Sequence, residues 1–353
     1  MIRYPQIYFR TLKEQEFSPF LINRVLILSI EVFSQPIMKV HTDIDNLPDF
    51  KNAVLTIGTF DGVHTGHRAI LEQLIEEAVQ CKGETVVITF DPHPRRILNK
   101  EQAPGLLTSM EERIEQFEKI GINHLVIIPF NQAFAEMSAE EYVENFLVQR
   151  FHPKVIVIGY DHRFGKGRTG DYTMLANMGI LHQYEVRQIP QKLLDDAQIS
   201  STTIRQALLA GEIIQANKLL NYRYQIEGIV IEGDKLGRKL GFPTANLLLT
   251  NADKLIPASG VYAVTAHLNE AGQIRNLKGM MNIGFRPTVN GKERRIEVHI
   301  FEFDEMIYKK TLRVCLVEFV RDEKKFSGLD ALVNQLDEDK KNIGKLLEGI
   351  THS

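Results

Sequence analysis

The sequence predicts an α/β domain followed by a small antiparallel β-barrel with a C-terminal helix. Three observations carry that expectation. Between residues 38 and 222 short apolar, β-branched runs alternate with stretches of helical period, the pattern of a parallel sheet covered by helices on both faces. Beyond Leu220 runs of period two follow one another with turn residues between them, as in a small barrel. With 353 residues, 44% of them hydrophobic, the chain is long enough for two separate cores. The expected division is an extension over 1–37, an α/β domain over 38–222 and a barrel domain over 223–353.

The extension comes first. Its apolar run from Val25 to Ile30 is flanked by Arg24 and Glu31 and follows Glu14 and Glu16. That run is too short for a membrane span, which needs about 20 apolar residues, and lacks a small-residue cleavage pattern. Met38 is the more natural beginning, so 1–37 is expected to be poorly ordered. Ala53–Ile57 then reads as a strand, and apolar residues at Ile70, Leu71, Leu74, Ile75, Ala78 and Val79 give the next segment a helical period. Val86–Phe90, Leu125–Pro129, Val155–Ile158 and Glu185–Ile189 are further strands, with helices over Ser109–Ile120 and Ala139–Phe151 and another beginning near Thr203. In the last third Tyr224–Ile231, Gly260–His267, Arg294–Phe301 and Thr311–Val320 alternate, and Leu329–Leu347 is amphipathic.

The motif with the most chemistry lies at the first strand-to-helix turn: Gly58-Thr59-Phe60-Asp61-Gly62-Val63-His64-Thr65-Gly66-His67-Arg68. His64 and His67 fall on one face of a helix start, beside amides without intrahelical partners and the positive end of the dipole. Such a place attracts phosphate, and Gly66, lacking a Cβ, permits close approach. Imidazoles there can donate hydrogen bonds to a phosphate that gains charge during transfer. Three more polar clusters fall beyond the ends of strands, where ligands bind in such sheets. They are Thr89-Phe90-Asp91-Pro92-His93-Pro94, the run Gly159 to Gly170, and Ile199-Ser200-Ser201-Thr202-Thr203-Ile204-Arg205.

The run Gly165 to Gly170 spells GxGxxG, but five residues separate it from its strand and no long apolar helix is expected to open on it. It therefore reads as a mobile loop whose Arg168 can reach phosphates, not as a dinucleotide fingerprint. No G-x-x-x-x-G-K-[ST] occurs anywhere in the chain. The segment Gly233 to Asn246 can still supply phosphate and metal contacts: Gly237, Gly241 and Lys239 for phosphates, Thr244 and Asn246 for a cation. A plain hairpin accounts for it equally well, and Glu297 on its own is a strand glutamate facing solvent.

Composition narrows the partners. A formal net charge of −3 gives no basis for nucleic-acid or membrane binding. Cys81 and Cys315 stand far apart with no metal-type or disulfide-type spacing, which points to a reducing cytoplasm.

These motifs, in this order, resemble the bacterial bifunctional riboflavin kinase/FMN adenylyltransferase family, also called FAD synthetase. HxGH resembles the nucleotidyltransferase superfamily, and G-T-F-D-G-V-H-x-G-H-R narrows it. The resemblance implies a Rossmann-like adenylyltransferase domain whose His64, His67 and Arg205 are catalytic. It implies ATP contacts from Gly58, Thr59, Phe60, Gly66, Arg168, Ser200, Ser201 and Thr202, and flavin contacts from Asp61, Asp91, His93, Asp161 and Phe164. In the last third G-[RK]-x-L-G-F-P-T-A-N-L is similar to the riboflavin kinase domain, a Greek-key barrel. There the resemblance gives Gly237, Lys239, Gly241 and Pro243 to ATP, Thr244 and Asn246 to Mg²⁺, Glu297 to proton removal and Arg321 to the flavin. His162 departs from the family's usual Phe, and Lys309 from its usual Gly, so the turn at Lys309 is expected to differ. The implied reactions are riboflavin plus ATP to FMN, then FMN plus ATP to FAD and pyrophosphate, with Mg²⁺ required. A flavin carrier without turnover would need neither metal ligands nor a base.

Overall fold

Six strands, the central ones mostly apolar, form one parallel sheet. They are β1 (Lys39–His41), β2 (Val54–Ile57), β3 (Thr85–Asp91), β4 (His124–Pro129), β5 (Val155–Gly159) and β6 (Glu185–Ile189). Their spatial order is β1-β4-β3-β2-β5-β6, and every pairing is parallel. The computed structural model describes residues 37–99, 103–190, 199–270, 273–288 and 291–350. The expectation of a poorly ordered extension therefore falls, but for Ile37, outside the described residues.

Successive residues of a strand face opposite sides, so the central strands need cover on both. Leu55, Ile88, Ile128 and Ile156 pack with Tyr142, Phe146 and Leu147. Val54, Val87, Leu125 and Val157 pack with Leu71, Leu74 and Phe117. The covering helices include α1 (Thr65–Cys81) and α3 (Met110–Ile120), with the short α2 (Pro94–Leu98) between them. A reciprocal capping box of Ser109 and Glu112 starts α3, and Gly121 ends it at φ 91°. The helix expected over Ala139–Phe151 is present, with a π-helical middle at Tyr142–Val148.

Only in the helix that follows it does the GxGxxG run depart from expectation. It closes into a turn in which Phe164 and Gly170 exchange backbone hydrogen bonds, with Gly165 and Gly167 in the left-handed region. A helix does open two residues later: α4 (Tyr172–His182) starts at Asp171, whose carboxylate accepts from the Met174 amide. Two more helices, α5 (Ser201–Leu209) and α6 (Ile213–Leu220), lead into the barrel.

The barrel is closed by β7 (Gln225–Ile231), β8 (Ala245–Leu249), β9 (Gly260–Glu270), β10 (Gln273–Thr288), β11 (Gly291–Ile300) and β12 (Thr311–Arg321). All its pairings are antiparallel, in the order β10-β11-β8-β7-β12-β9. Strands β8 and β10 were not among the expected ones. Val230, Leu247, Val264, Ile283, Val298 and Leu316 share one apolar cluster with Ile204, Leu208, Ile213 and Ala216 of α5 and α6. Helix α7 (Leu329–Leu346) adds Ile343, beside Phe242, Val261 and Met280. Sheet, linking helices and barrel belong to one compact unit, Met38–Ser353. Among the described residues no helix is long and apolar enough to cross a membrane.

Candidate active sites

Strand order reverses on either side of β2: β3 and β4 lie to one side, β5 and β6 to the other. In open parallel sheets the crevice at such a switch point is where ligands bind. A cleft of about 570 Å³ lies there. Gly58, Thr59 and Asp61 line it from the end of β2, His93 from beyond β3, His162, Phe164 and Arg168 from beyond β5, and Ser201, Thr202 and Arg205 from α5. Four sequence motifs far apart in the chain thus meet in one place.

The two motif histidines stand behind this lining. Nδ1 of His64 accepts from the His67 amide at 3.3 Å and caps α1, so the helix starts at Thr65, between the two histidines as expected. The rings stack with centroids 3.6 Å apart, and the edge of Phe60 approaches His67. Burial holds both imidazoles neutral: it lowers His64 to about 4 against the opposing pull of Asp61, and it takes His67 well below the ordinary range. Nδ1 of His67 is buried and meets no hydrogen-bond partner among the described residues. Phe60 and Gly66 are also buried, outside the cleft lining. Asp91 and Asp161 are exposed and Ser200 caps α5, so these three do not line the cleft either.

Asp61 and Arg205 form the charged floor. Asp61, 1% exposed, accepts from the Leu107 amide at 2.9 Å and the Thr108 amide at 3.0 Å. It also accepts from the Arg205 guanidinium, whose Nε donates to the Gly105 carbonyl at 2.9 Å. His93 is lowered to about 4 by burial and caps α2 by accepting from the Arg95 amide. His162 is likewise lowered to about 4 by burial. Arg113, which the sequence did not single out, is fully buried and donates to the Thr59 carbonyl at 2.9 Å. A cation four residues before Phe117 on the apolar face of α3 was the available signal.

In the barrel, Glu297 of β11 lies in register between Asn246 of β8 and Asn282 of β10. A cavity of about 440 Å³ is lined by Gly237, Thr244, Asn282, Glu297, His299 and Arg321 together with Phe242, Met280 and Leu336. His299 was missed, although it stands two residues from Glu297 and so on the same strand face. Its Nδ1 meets the Pro243 carbonyl at 2.8 Å, its Nε2 is buried with no partner among the described residues, and burial lowers its pKa. Thr244 also lines a neighbouring cavity of about 310 Å³, with Pro243, Arg238 and Tyr308. Lys239 and Gly241 are exposed and outside both linings.

Asn246 is packed against Gly233, where a Cβ would fall 2.2 Å from its amide nitrogen. Arg321 is anchored by Asp339 of α7 through its Nε at 3.0 Å and a second nitrogen at 2.6 Å. The turn at Lys309 takes φ 66°, the left-handed conformation that favours glycine, and the Lys309 amide donates to the Val230 carbonyl at 2.8 Å.

Comparison with known proteins gives two family models. The FAD synthetase model matches residues 47–203 and the riboflavin kinase model residues 220–347. The chain is 36% identical over 306 residues to the bifunctional riboflavin kinase/FMN adenylyltransferase of Escherichia coli, covering 86% of this chain and 96% of that one. It is 38% identical over 293 residues to the protein of the same name from Listeria monocytogenes, covering 82% and 91%. A solved structure from Streptococcus pneumoniae, named a macrolide-efflux protein, superposes with a TM-score of 0.77 at 30% identity, covering 87% of this chain and 99% of that one.

Proposed function

The chain belongs to the bifunctional riboflavin kinase/FMN adenylyltransferase family, and we infer that it makes FMN in the barrel and FAD in the sheet cleft. The observation that carries this is the separation of the two clefts: among the described residues none lines both, and each gathers its own set of motifs. We assign the first activity to 223–353 and the second to 38–222. The efflux named for the Streptococcus protein is no part of this reading.

In the barrel the riboflavin 5′-hydroxyl attacks the γ-phosphorus of ATP. The new O–P bond forms as the bridging bond to the β-phosphate breaks, ADP leaves with that electron pair, and Glu297 takes the hydroxyl proton. The position of Thr244 between two cavities supports flavin on the Glu297 side and nucleotide on the Arg238 side. Thr244 and Asn246 offer uncharged oxygens that suit Mg²⁺, and Gly233 leaves the Asn246 amide the space a Cβ would fill. Bound Mg²⁺ would offset charge on the phosphates. Arg321, fixed by Asp339, presents its guanidinium to the cavity and orients the flavin.

In the cleft the FMN phosphate attacks the α-phosphorus of ATP in line, and pyrophosphate departs. The nucleophile is already an anion, so no base is needed. Gly58, Thr59, Ser201, Thr202, Arg168 and Arg205 hold the phosphates, and His93, Phe164 and His162 bound the flavin side. His64 and His67, both neutral, act as hydrogen-bond donors to the charge that develops. Two unbridged cysteines accord with a cytoplasmic setting. The test is a time course with riboflavin, ATP and Mg²⁺, followed by chromatography of the flavins. FMN should precede FAD, and FMN supplied directly should be converted; failure of either step removes the corresponding assignment.

A further inference from the structure

One buried ion pair is used by neither reaction. Lys254, in the turn after β8, is paired with Glu112 of α3, and both side chains are nearly sealed at 4% and 5% exposure. The Lys254 ammonium also donates to the Leu107 carbonyl at 2.7 Å and lies 4.5 Å above the Tyr224 ring. The backbone follows the same path: the Leu106 amide donates to the Asp253 carbonyl at 2.7 Å, and the Leu255 amide to the Leu106 carbonyl at 2.8 Å. Gly105 sits so close to Leu255 that a Cβ there would fall 2.9 Å from its side chain. Residues of the barrel region thus fix Gly105 to Leu107, the segment whose carbonyl and amide hold Arg205 and Asp61.

We propose that Lys254 is a positioning residue for adenylyl transfer: from the barrel it fixes the Gly105–Thr108 segment, and through it the Asp61–Arg205 pair in the cleft. The proposal rests on the adenylyltransferase reading of that cleft. A surface pair would be worth little, but this ion pair is desolvated and its ammonium has two oxygen partners, so removal leaves the buried Glu112 carboxylate without its counter-charge, held only by the Ser109 amide at 3.0 Å, and takes from the Leu107 carbonyl the donor it meets. The consequence is directional. A lesion at a residue that the sequence places with the kinase should slow FAD formation and leave FMN formation alone.

The test uses the full chain with Lys254→Met, and Lys254→Met combined with Glu112→Gln to relieve the stranded carboxylate should folding suffer. FAD formation from FMN and ATP should fall about tenfold in kcat/KM, while FMN formation from riboflavin stays within twofold. Combined with Arg205→Ala, Lys254→Met should cost nothing more, because both changes act on one guanidinium; a merely weakened fold would give additive losses. The proposal is overturned by FAD formation unaltered in both Lys254 variants, by full additivity with Arg205→Ala, or by a parallel fall in FMN formation. Wild-type chain that makes no FAD would instead remove the reading beneath it.

Discussion

Replacing Asp61 by Asn separates two roles for that carboxylate. Resemblance gives Asp61 to the flavin, whereas its geometry commits it to the protein: two backbone amides at 2.9 and 3.0 Å and the Arg205 guanidinium. Asn keeps one acceptor oxygen for the amides but turns an NH₂ group toward a cation. Losing a charge-assisted hydrogen bond costs about 1.5–3 kcal/mol, and isolating a fully buried charge about 3–5 kcal/mol. Arg205 is 11% exposed and borders an open cleft, so water can solvate it and the lower range applies. A loss of about 2 kcal/mol, expressed in the transition state for adenylyl transfer, is about 30-fold in rate. Steady-state FAD formation with FMN and ATP varied in turn measures it, with FMN formation on the same preparation as the control for folding. Asp61→Asn should lower kcat/KM for both substrates and spare FMN formation. FAD formation within threefold of wild type, or a raised KM for FMN with all else unchanged, would refute the reasoning, the latter being what a carboxylate touching flavin alone would give.

His67→Ala should lower FAD formation about 100-fold, the range for a lost donor in such a site, with FMN formation intact; equal loss of both would contradict separate sites. Glu297→Gln should have the mirror effect, removing the proton acceptor and slowing FMN formation by at least 100-fold while FMN is still converted to FAD. Chelating divalent metal should stop FMN formation and Mg²⁺ should restore it; turnover in excess chelator would exclude the role given to Thr244 and Asn246. Acid should destabilise the fold early. His64 and His93 ionise at about 4 in the folded chain against 6.5 unfolded, so between these values the unfolded state holds more protons and stability falls as pH drops. Each contributes up to about 3 kcal/mol over that window. A urea midpoint unchanged between pH 6.5 and 4.5 would contradict the burial of these rings.

What the sequence showed and what it hid divide on physical grounds. The central parallel strands were legible because a strand buried on both faces reads as a mostly apolar run, as in Val54–Ile57 and Val155–Gly159, whereas the short edge strand β1, KVH and mostly exposed, was not among the expected ones. Strand β8 was not, because it begins within the glycine-rich segment and after Pro243, and β10 was not, because Gly279, Asn282 and Gly284 interrupt its period. Helix α4 escaped notice because its apolar residues surround it and leave no stripe. The cleft residues were found by motif, whereas Arg113, His299 and Lys254 were not. Each is a polar group that burial ordinarily excludes, and the contacts it makes in the fold show why it is held inside.

Both clefts treat their arginine alike, and the count of donors says why. A guanidinium has five N–H donors. Arg205 commits Nε to the Gly105 carbonyl and one terminal donor to Asp61, leaving three of the five for the phosphate role proposed above. Arg321 commits Nε and a terminal donor to Asp339 and another to the Asp322 carbonyl, leaving two. A free arginine would lose rotamer entropy on every binding event, whereas these are ordered before substrate arrives. The buried aspartate lowers the net field that the cation offers an incoming anion, so the arrangement exchanges binding strength for orientation. For in-line transfer that exchange favours rate, because orientation matters at the transition state and tight ground-state binding does not.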